Sequence, residues 1–513
     1  MAHRRSHWIP LIVLVIWSIA SAGWAQGTAD TETDKDEELV VQKIVTDHSE
    51  ILPEEELQAV LRSYEGKQLS IYDLHEVVDE INALYRARNY VTARAMLLPQ
   101  KVEDGVVKIK LVEGRLGRIE VEGNKYTRDS FFKRRISMRN GDVMDLKSLE
   151  KDLEFFNSTN DCKMRAELRA GEEPGTSDCI LKVEEPKRWQ ASTFVDNAGR
   201  DDVGLYRIGA LLSVNSLLGF RDRLSLATYY ADGTTSGSVA YDIPITRKGT
   251  RIGASYDQNQ IEVIGGDFSV LDIDGDSSDI SAYISHPLIG RPRLVSTGFA
   301  EWHEKQTTTR FAGVPLVESG VSTVSGGFDL QAYDDHGMWY FRNELSFGSS
   351  DLENTEDFFR WTGDLSRFHL FKDDRTLILR ASAQWANEDL LPSSEQFQIG
   401  GLSTVRGFDQ GLLIGDKGYL MSAELNWPLF RKESKLRNKL KGAVFIDHGG
   451  AFPFKPGGEG IDSEDFLTSV GAGLVFNLSK YFNGRISYGF PLSDQESDKG
   501  EGQLHFYIQS NLF

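Results

Sequence analysis

Residues Tyr419–Trp427 read YLMSAELNW, and their alternation decides the fold. Tyr419, Met421, Ala423, Leu425 and Trp427 fall on one side of an extended chain, and Ser422, Glu424 and Asn426 on the other. The same period of two sets Val239, Tyr241, Ile243 and Ile245 against Ala240 and Asp242. It also sets Leu377, Leu379, Ala381, Ala383 and Trp385 against Arg380, Ser382 and Gln384. This pattern runs from about Arg188 to Phe513, too far for one soluble sandwich, and its polar face is unusually charged. A bilayer accounts for both features. Lipid offers backbone groups no hydrogen-bond partner, so the sheet closes on itself, with apolar residues outward and polar residues inward. At about 20 residues per strand and connection, the region holds roughly 16 antiparallel strands around a polar lumen. Short turns are expected at one rim, such as Asp373-Asp374 and Asn483-Gly484. Acidic loops are expected at the other, at Val270–Ser278 and Gln495–Gly502.

Composition agrees. The 513 residues carry 57 Lys+Arg against 77 Asp+Glu, a formal charge of −20, which argues against nucleic acid as a partner. Beyond the N-terminus no apolar run reaches the roughly 18–20 residues of a spanning helix, while 48 Gly, 28 Phe and 17 Tyr suit a membrane barrel. Residues 1–25 read as a secretory signal peptide: Arg4 and Arg5, an apolar stretch from Trp8 to Ala20, then Gly23-Trp24-Ala25. Residues 26–38 form an acidic linker.

From Leu39 to about Glu185 strands and helices mix. A strand at Leu39–Thr46 precedes a helix opened by Pro53 and Glu54-Glu55-Glu56, whose charges suit the positive end of the helix dipole. Ser70 is the N-cap of a second helix with Ile71, Leu74, Val77, Val78, Ile81, Leu84 and Tyr85 on one stripe, and Asn89 ends it. Strands Val91–Pro99 and Val106–Val112 follow, joined through Glu103-Asp104-Gly105. The order then repeats: a strand at Ile119–Val121, helices at Asp129–Ser137 and along Leu146, Leu149, Leu153 and Phe156, and strands Lys163–Ala170 and Cys179–Glu184. Two tandem α+β units are expected, over 39–114 and 115–186. Cys162 and Cys179 either pair as a local disulfide in an oxidising compartment or remain two half-buried thiols. No C-x-x-C occurs, so no metal site is expected.

The motifs narrow this further. Gly400–Tyr419 reads GGLSTVRGFDQGLLIGDKGY, too Gly-rich for a strand, and forms a long loop at about 390–417. Its core, Val405-Arg406-Gly407-Phe408, resembles the VRGF tip of the inward-folded loop in the outer-membrane protein assembly and secretion superfamily. Val444–Gly449 is similar to that superfamily's F-x-D-x-G strand, with Phe445, Asp447 and Gly449 in the motif positions. Alternation turns Phe445 and Asp447 inward. The resemblance implies that Arg406 and Asp447 lock the loop inside the barrel, and a guanidinium–carboxylate pair is directional enough to do so. Tyr90–Arg94, Leu98-Pro99-Gln100, Asp104–Val107 and Glu113–Leu116 resemble the first POTRA domain of two-partner secretion transporters, the haemolysin and filamentous-haemagglutinin exporters. So do the barrel-entry segments Asp196–Gly199, Gly204–Arg207, Leu217–Gly219 and Asp222–Ser225. Three departures stand out: Asn89 replaces a Gly, the segment before Leu39 is too short and acidic for a plug helix, and Gln509 and Asn511 make the terminal strand an imperfect insertion signal.

The resemblance implies two POTRA domains and a 16-stranded barrel at 187–513, in the outer membrane of a Gram-negative bacterium with the POTRA domains periplasmic. It implies a transporter that exports an unfolded secreted exoprotein, expected as a monomer in lipid, without cofactor or metal. Client contacts are expected on the second helix, at Ile71, Leu74, Val78, Ile81 and Tyr85, although the same stripe must also build the domain core. A general outer-membrane insertase of the same superfamily is the competing reading; it usually carries more POTRA repeats. No enzyme is expected. His75–Asp79 misses H-E-x-x-H, and neither a G-x-S-x-G elbow nor a phosphate-binding loop is present.

Overall fold

The computed structural model describes residues 38–266, 269–351, 357–387, 390–455, 460–493 and 501–512. The signal peptide, the linker up to residue 37, the acidic stretch 494–500 and Phe513 lie outside the described residues. The chain divides into two compact units, one up to Glu185 and one from Pro186 onward.

The N-terminal unit repeats one plan. In its first half, strand Val106–Val112 is central, parallel to Lys43–Thr46 and antiparallel to Arg94–Leu97. Helices α1 (Glu54–Arg62) and α2 (Ile71–Ala87) cover this sheet. α2 starts where Ser70 and Asp73 form a reciprocal capping box, and it stops where Asn89 takes φ 64°. In the second half, Thr176–Glu184 is central between Arg115–Glu122 and Lys163–Ala170, with α3 (Asp129–Lys133) and α4 (Leu146–Thr159). The rings of Phe131, Phe132 and Phe156 meet edge to face in its core.

Two expectations fail here. Leu74, Val78, Ile81 and Tyr85 are buried in the first core and offer no surface to a client; only Ile71 is exposed. The Tyr85 hydroxyl is also tied to Glu113 at 3.0 Å, and burial pushes its phenol pKa up. Cys162 and Cys179 do not pair. Cys179 sits opposite Leu168, whereas Lys163, next to Cys162, sits opposite Glu184. The cysteines thus lie about six strand positions apart, on the order of 20 Å, against the ~6 Å between Cα atoms that a disulfide requires. Burial pushes the Cys179 thiol pKa up to about 12, so it stays protonated and inert.

The C-terminal unit is a closed barrel of 16 antiparallel strands, from Trp189–Asp196 to Gln503–Asn511. Closure pairs Asp196 with Tyr507 through to Ser192 with Asn511. The Asn197 amide continues the seam, bonding the Leu504 carbonyl at 2.6 Å and the Phe506 N–H at 2.8 Å. Alternation holds: Met421, Val444 and Ile446 are exposed on the outer face, while Ser422, Glu424, Asn426 and Asp447 are buried inside. Two expected connections are strand instead. Asn483 and Gly484 lie within Phe482–Pro491, and residues from Ile273 onward begin the 19-residue strand Ile273–Arg291. That segment is polar on both faces, which makes it look like a loop in sequence. Among the described residues no helix is long and apolar enough to cross a membrane.

Candidate functional site: a loop folded into the barrel

Between strands Thr376–Ala386 and Lys417–Pro428 the chain leaves the wall and turns into the lumen. Its two legs pair as a short hairpin, Phe397–Ile399 with Leu413–Gly415. Ile399, Val405 and Phe408 pack on Leu420, Ala451 and Leu467 of the wall, giving the loop an apolar underside. Gly449 makes room for this, since a Cβ there would lie 2.8 Å from the Tyr419 carbonyl and 3.3 Å from the Ile399 side chain.

At the tip, Arg406 is 1% exposed and Asp447 0% exposed. Arg406 Nε donates to Asp447 Oδ2 at 2.7 Å and Nη2 to Oδ1 at 2.9 Å, a two-pronged pair. The Arg406 backbone N–H adds a third bond to the same carboxylate at 3.2 Å. Its remaining nitrogen, Nη1, donates to Glu424 Oε2 at 2.6 Å, and its guanidinium carbon lies 3.4 Å from the Phe445 ring centre. A burial this complete is tolerable only because every charge has partners. Ser422 donates to Asp447 at 2.6 Å, Arg485 grips Glu424 with bonds of 3.0 and 2.8 Å, and a third guanidinium, Arg380, reaches the Ser422 hydroxyl at 3.4 Å. Gly407, at φ +95°, donates its N–H to His505 Nε2 at 2.8 Å and lies directly on the backbone of Gly489.

The structure therefore brings Val405, Arg406, Gly407, Phe408, Phe445, Asp447 and Gly449 to one place. Sequence reading missed Glu424, Ser422, Arg485, His505 and Gly489 as parts of it. Glu424 and Ser422 carried a usable signal, because they share the inward phase of Tyr419–Trp427. Among the described residues no group of three or more His, Cys, Asp or Glu side chains is placed to hold a metal ion.

Comparison with known proteins follows the same lines. The family model for the haemolysin secretion/activation proteins ShlB/FhaC/HecB matches residues 175–476, and that for the ShlB-type POTRA domain matches residues 39–114. The chain belongs to this family. Among its relatives is the heme/hemopexin transporter protein HuxB of Haemophilus influenzae (strain 86-028NP), 27% identical over 90% of this chain and 84% of HuxB. Another is the outer membrane transporter CdiB of Dickeya dadantii (strain 3937), 23% identical over 89% of this chain and 83% of CdiB. The fold matches that of CdiB from Escherichia coli with a TM-score of 0.66, 21% identity and coverage of 94% and 92%. BamA from Haemophilus ducreyi, lacking POTRA domains 1–3, matches with a lower TM-score of 0.57 at 15% identity, covering 92% of this chain and 100% of that one. The chain is an outer-membrane transporter of the two-partner secretion type, with a POTRA-bearing periplasmic part.

Proposed function

We propose that this transporter exports an unfolded secreted exoprotein through its barrel, and that the Arg406–Asp447 pair is the latch holding the lumenal loop in the closed position. In this reading residues 1–25 direct secretion, 26–38 are a linker, 39–114 and 115–186 are POTRA domains that receive an extended client segment, and 187–513 is a monomeric barrel in outer-membrane lipid. Strand addition at a sheet edge supplies main-chain hydrogen bonds without demanding one client sequence. Folding of the client outside the cell pulls it forward, since the chain carries no nucleotide-binding motif.

The observation that carries the latch is the burial of Arg406 between Asp447 and Glu424. Removing one member of such a group costs about 3–5 kcal/mol, so the loop should lose its fixed position while the strand ladder persists. The test is Arg406→Ala in the native host, with the proteins released into the medium quantified. Secreted client should fall by roughly tenfold or more, with the amount of heat-modifiable barrel in the membrane unchanged. Normal export by an inserted Arg406→Ala barrel rules the latch out. A general insertase would behave differently: deleting the gene would deplete unrelated outer-membrane barrels instead of one secreted protein.

A further inference from the structure

The lumenal loop is tied down a second time, by a group with the opposite charge arrangement. At the tip the loop supplies the cation and the wall the anions. Where the loop enters the lumen, Glu395 ends a single 3-10 turn, Ser393–Glu395, and its side chain is 0% exposed. Its Oε1 accepts from Lys305 Nζ at 2.6 Å, and its Oε2 lies 2.7 Å from Arg360 Nη1. Lys305 belongs to strand Leu294–Phe311 and Arg360 to strand Phe358–Leu370, a sector of wall separate from the strands that hold Arg406. The Glu395 main chain is held too: its carbonyl accepts from Gln384 Nε2 at 2.8 Å. Beside it Asp416 fastens the two ends of the loop, taking the Leu391 N–H at 2.8 Å and Gln396 Nε2 at 3.1 Å through Oδ1.

We infer that Glu395 is the fixed anchor about which the loop swings: during export the Arg406 tip lets go and the Glu395 end stays in place. This deepens the reading of Arg406 as a releasable latch and rests on it. The two ends differ in what opposes release. When the tip leaves, Glu424 keeps Arg485 and Asp447 keeps Ser422, so the vacated acids retain partners. When Glu395 leaves, Lys305 loses its carboxylate and Arg360 is left with Glu344 at 4.0 Å and the Ser346 hydroxyl at 3.5 Å, so two cations share a partly buried pocket with one distant acid, which is the more unfavourable outcome. A hinge at this end lets the tip clear the lumen without unthreading the loop, and returns it to the same register after each client. Glu395 is thus a positioning residue, acting on the pore through the loop it holds.

Cysteine accessibility separates the two ends. In a background carrying Cys162→Ala and Cys179→Ala, a cysteine replaces buried Val405 at the tip or buried Leu391 at the base, and labelling by a water-soluble maleimide is timed in the reconstituted full chain. Arg406→Ala should speed labelling at 405 about tenfold and leave 391 protected; Glu395→Gln should speed labelling at 391 about tenfold and raise planar-bilayer conductance. The full reversal Glu395→Lys with Lys305→Glu and Arg360→Glu, which sets one base between two acids, should restore protection at 391. The anchor is refuted if Arg406→Ala exposes 391 as strongly as 405, since the loop then leaves as one body. It is equally refuted if Glu395→Gln, inserted normally, leaves 391 protected and conductance unchanged. Failure of 405 to become labelled in Arg406→Ala counts against the tip latch, while the Glu395→Gln arm decides the anchor on its own.

Discussion

Gly489 sets how closely the loop tip can approach the wall. A Cβ built there would lie 2.5 Å from the Gly407 nitrogen and 2.6 Å from the Arg406 carbonyl carbon. These are backbone atoms, so nothing flexible can yield; the tip itself must move. Gly489→Ala should therefore withdraw Arg406 from Asp447 although it leaves every charged group present. The expected outcome is an export defect as deep as that of Arg406→Ala, and a double variant no worse than either single, because both substitutions remove one interaction. A double variant clearly worse than both would show that Gly489 acts on something else. This contact also marks where sequence stops being informative. Arg406, Phe445 and Asp447 are legible because their motifs are compact, and the inward phase of Glu424 is legible from alternation. That Arg485 completes Glu424, 61 residues away, and that Gly489 meets Gly407 depend on barrel register, which alternation alone does not set.

At the scale of the element, the two halves of the N-terminal unit share a device as well as an order of strands and helices. Asn82 on α2 accepts the Ala95 N–H at 2.7 Å, and Asn157 on α4 accepts the Met164 N–H at 2.7 Å and donates to the Met164 carbonyl at 2.8 Å. Each asparagine lies in the helix before an edge strand and fills main-chain groups that a neighbouring strand would otherwise take. An incoming client strand must compete with that amide at Ala95 or Met164. Met164 is fully buried, so Asn157→Ala leaves its N–H and carbonyl without partners, at a cost of about 1–3 kcal/mol. Hydrogen exchange on the intact protein should show Met164 losing protection by roughly fivefold or more, with the central strand Thr176–Glu184 little changed. Unchanged protection at Met164 would mean that water replaces the asparagine freely. The repeat was legible as element order, from hydrophobic period and turn residues. The burial of the whole α2 stripe was legible only as one of two uses, since an amphipathic stripe reads the same whether it packs on its own sheet or on a client.

On the scale of the whole barrel, three neighbouring strands outrun the membrane: Ile273–Arg291, Leu294–Phe311 and Val314–Asp334, of 19, 18 and 21 residues. Spanning takes about 9–11 residues in a tilted strand. The outward phase locates the boundary. Ala282, Trp302 and Val324 lie side by side across the three strands, and the next outward row up is Ile280, Glu304 and Ser322. Above that row the outward positions are Ser278, Asp276 and Asp274, then Gln306, Thr308 and Arg310, and the Arg310 guanidinium pairs with Asp274 and Asp276. Such a surface belongs in water, which is why the lower part of this stretch reads as strand in sequence and the upper part as an acidic loop. The boundary makes a quantitative prediction. Ile284, one row below Trp302 and exposed on the outer face, should meet lipid, and Ile284→Arg should destabilise the barrel by about 2–4 kcal/mol, whereas Ser322→Arg should change it by no more than about 1 kcal/mol. Denaturant unfolding in phosphatidylcholine vesicles, followed by tryptophan fluorescence, measures both. Equal effects at the two positions would place the upper wall in lipid as well, and the acidic outward rows from Ser278 to Asp274 would then have no solvent to face.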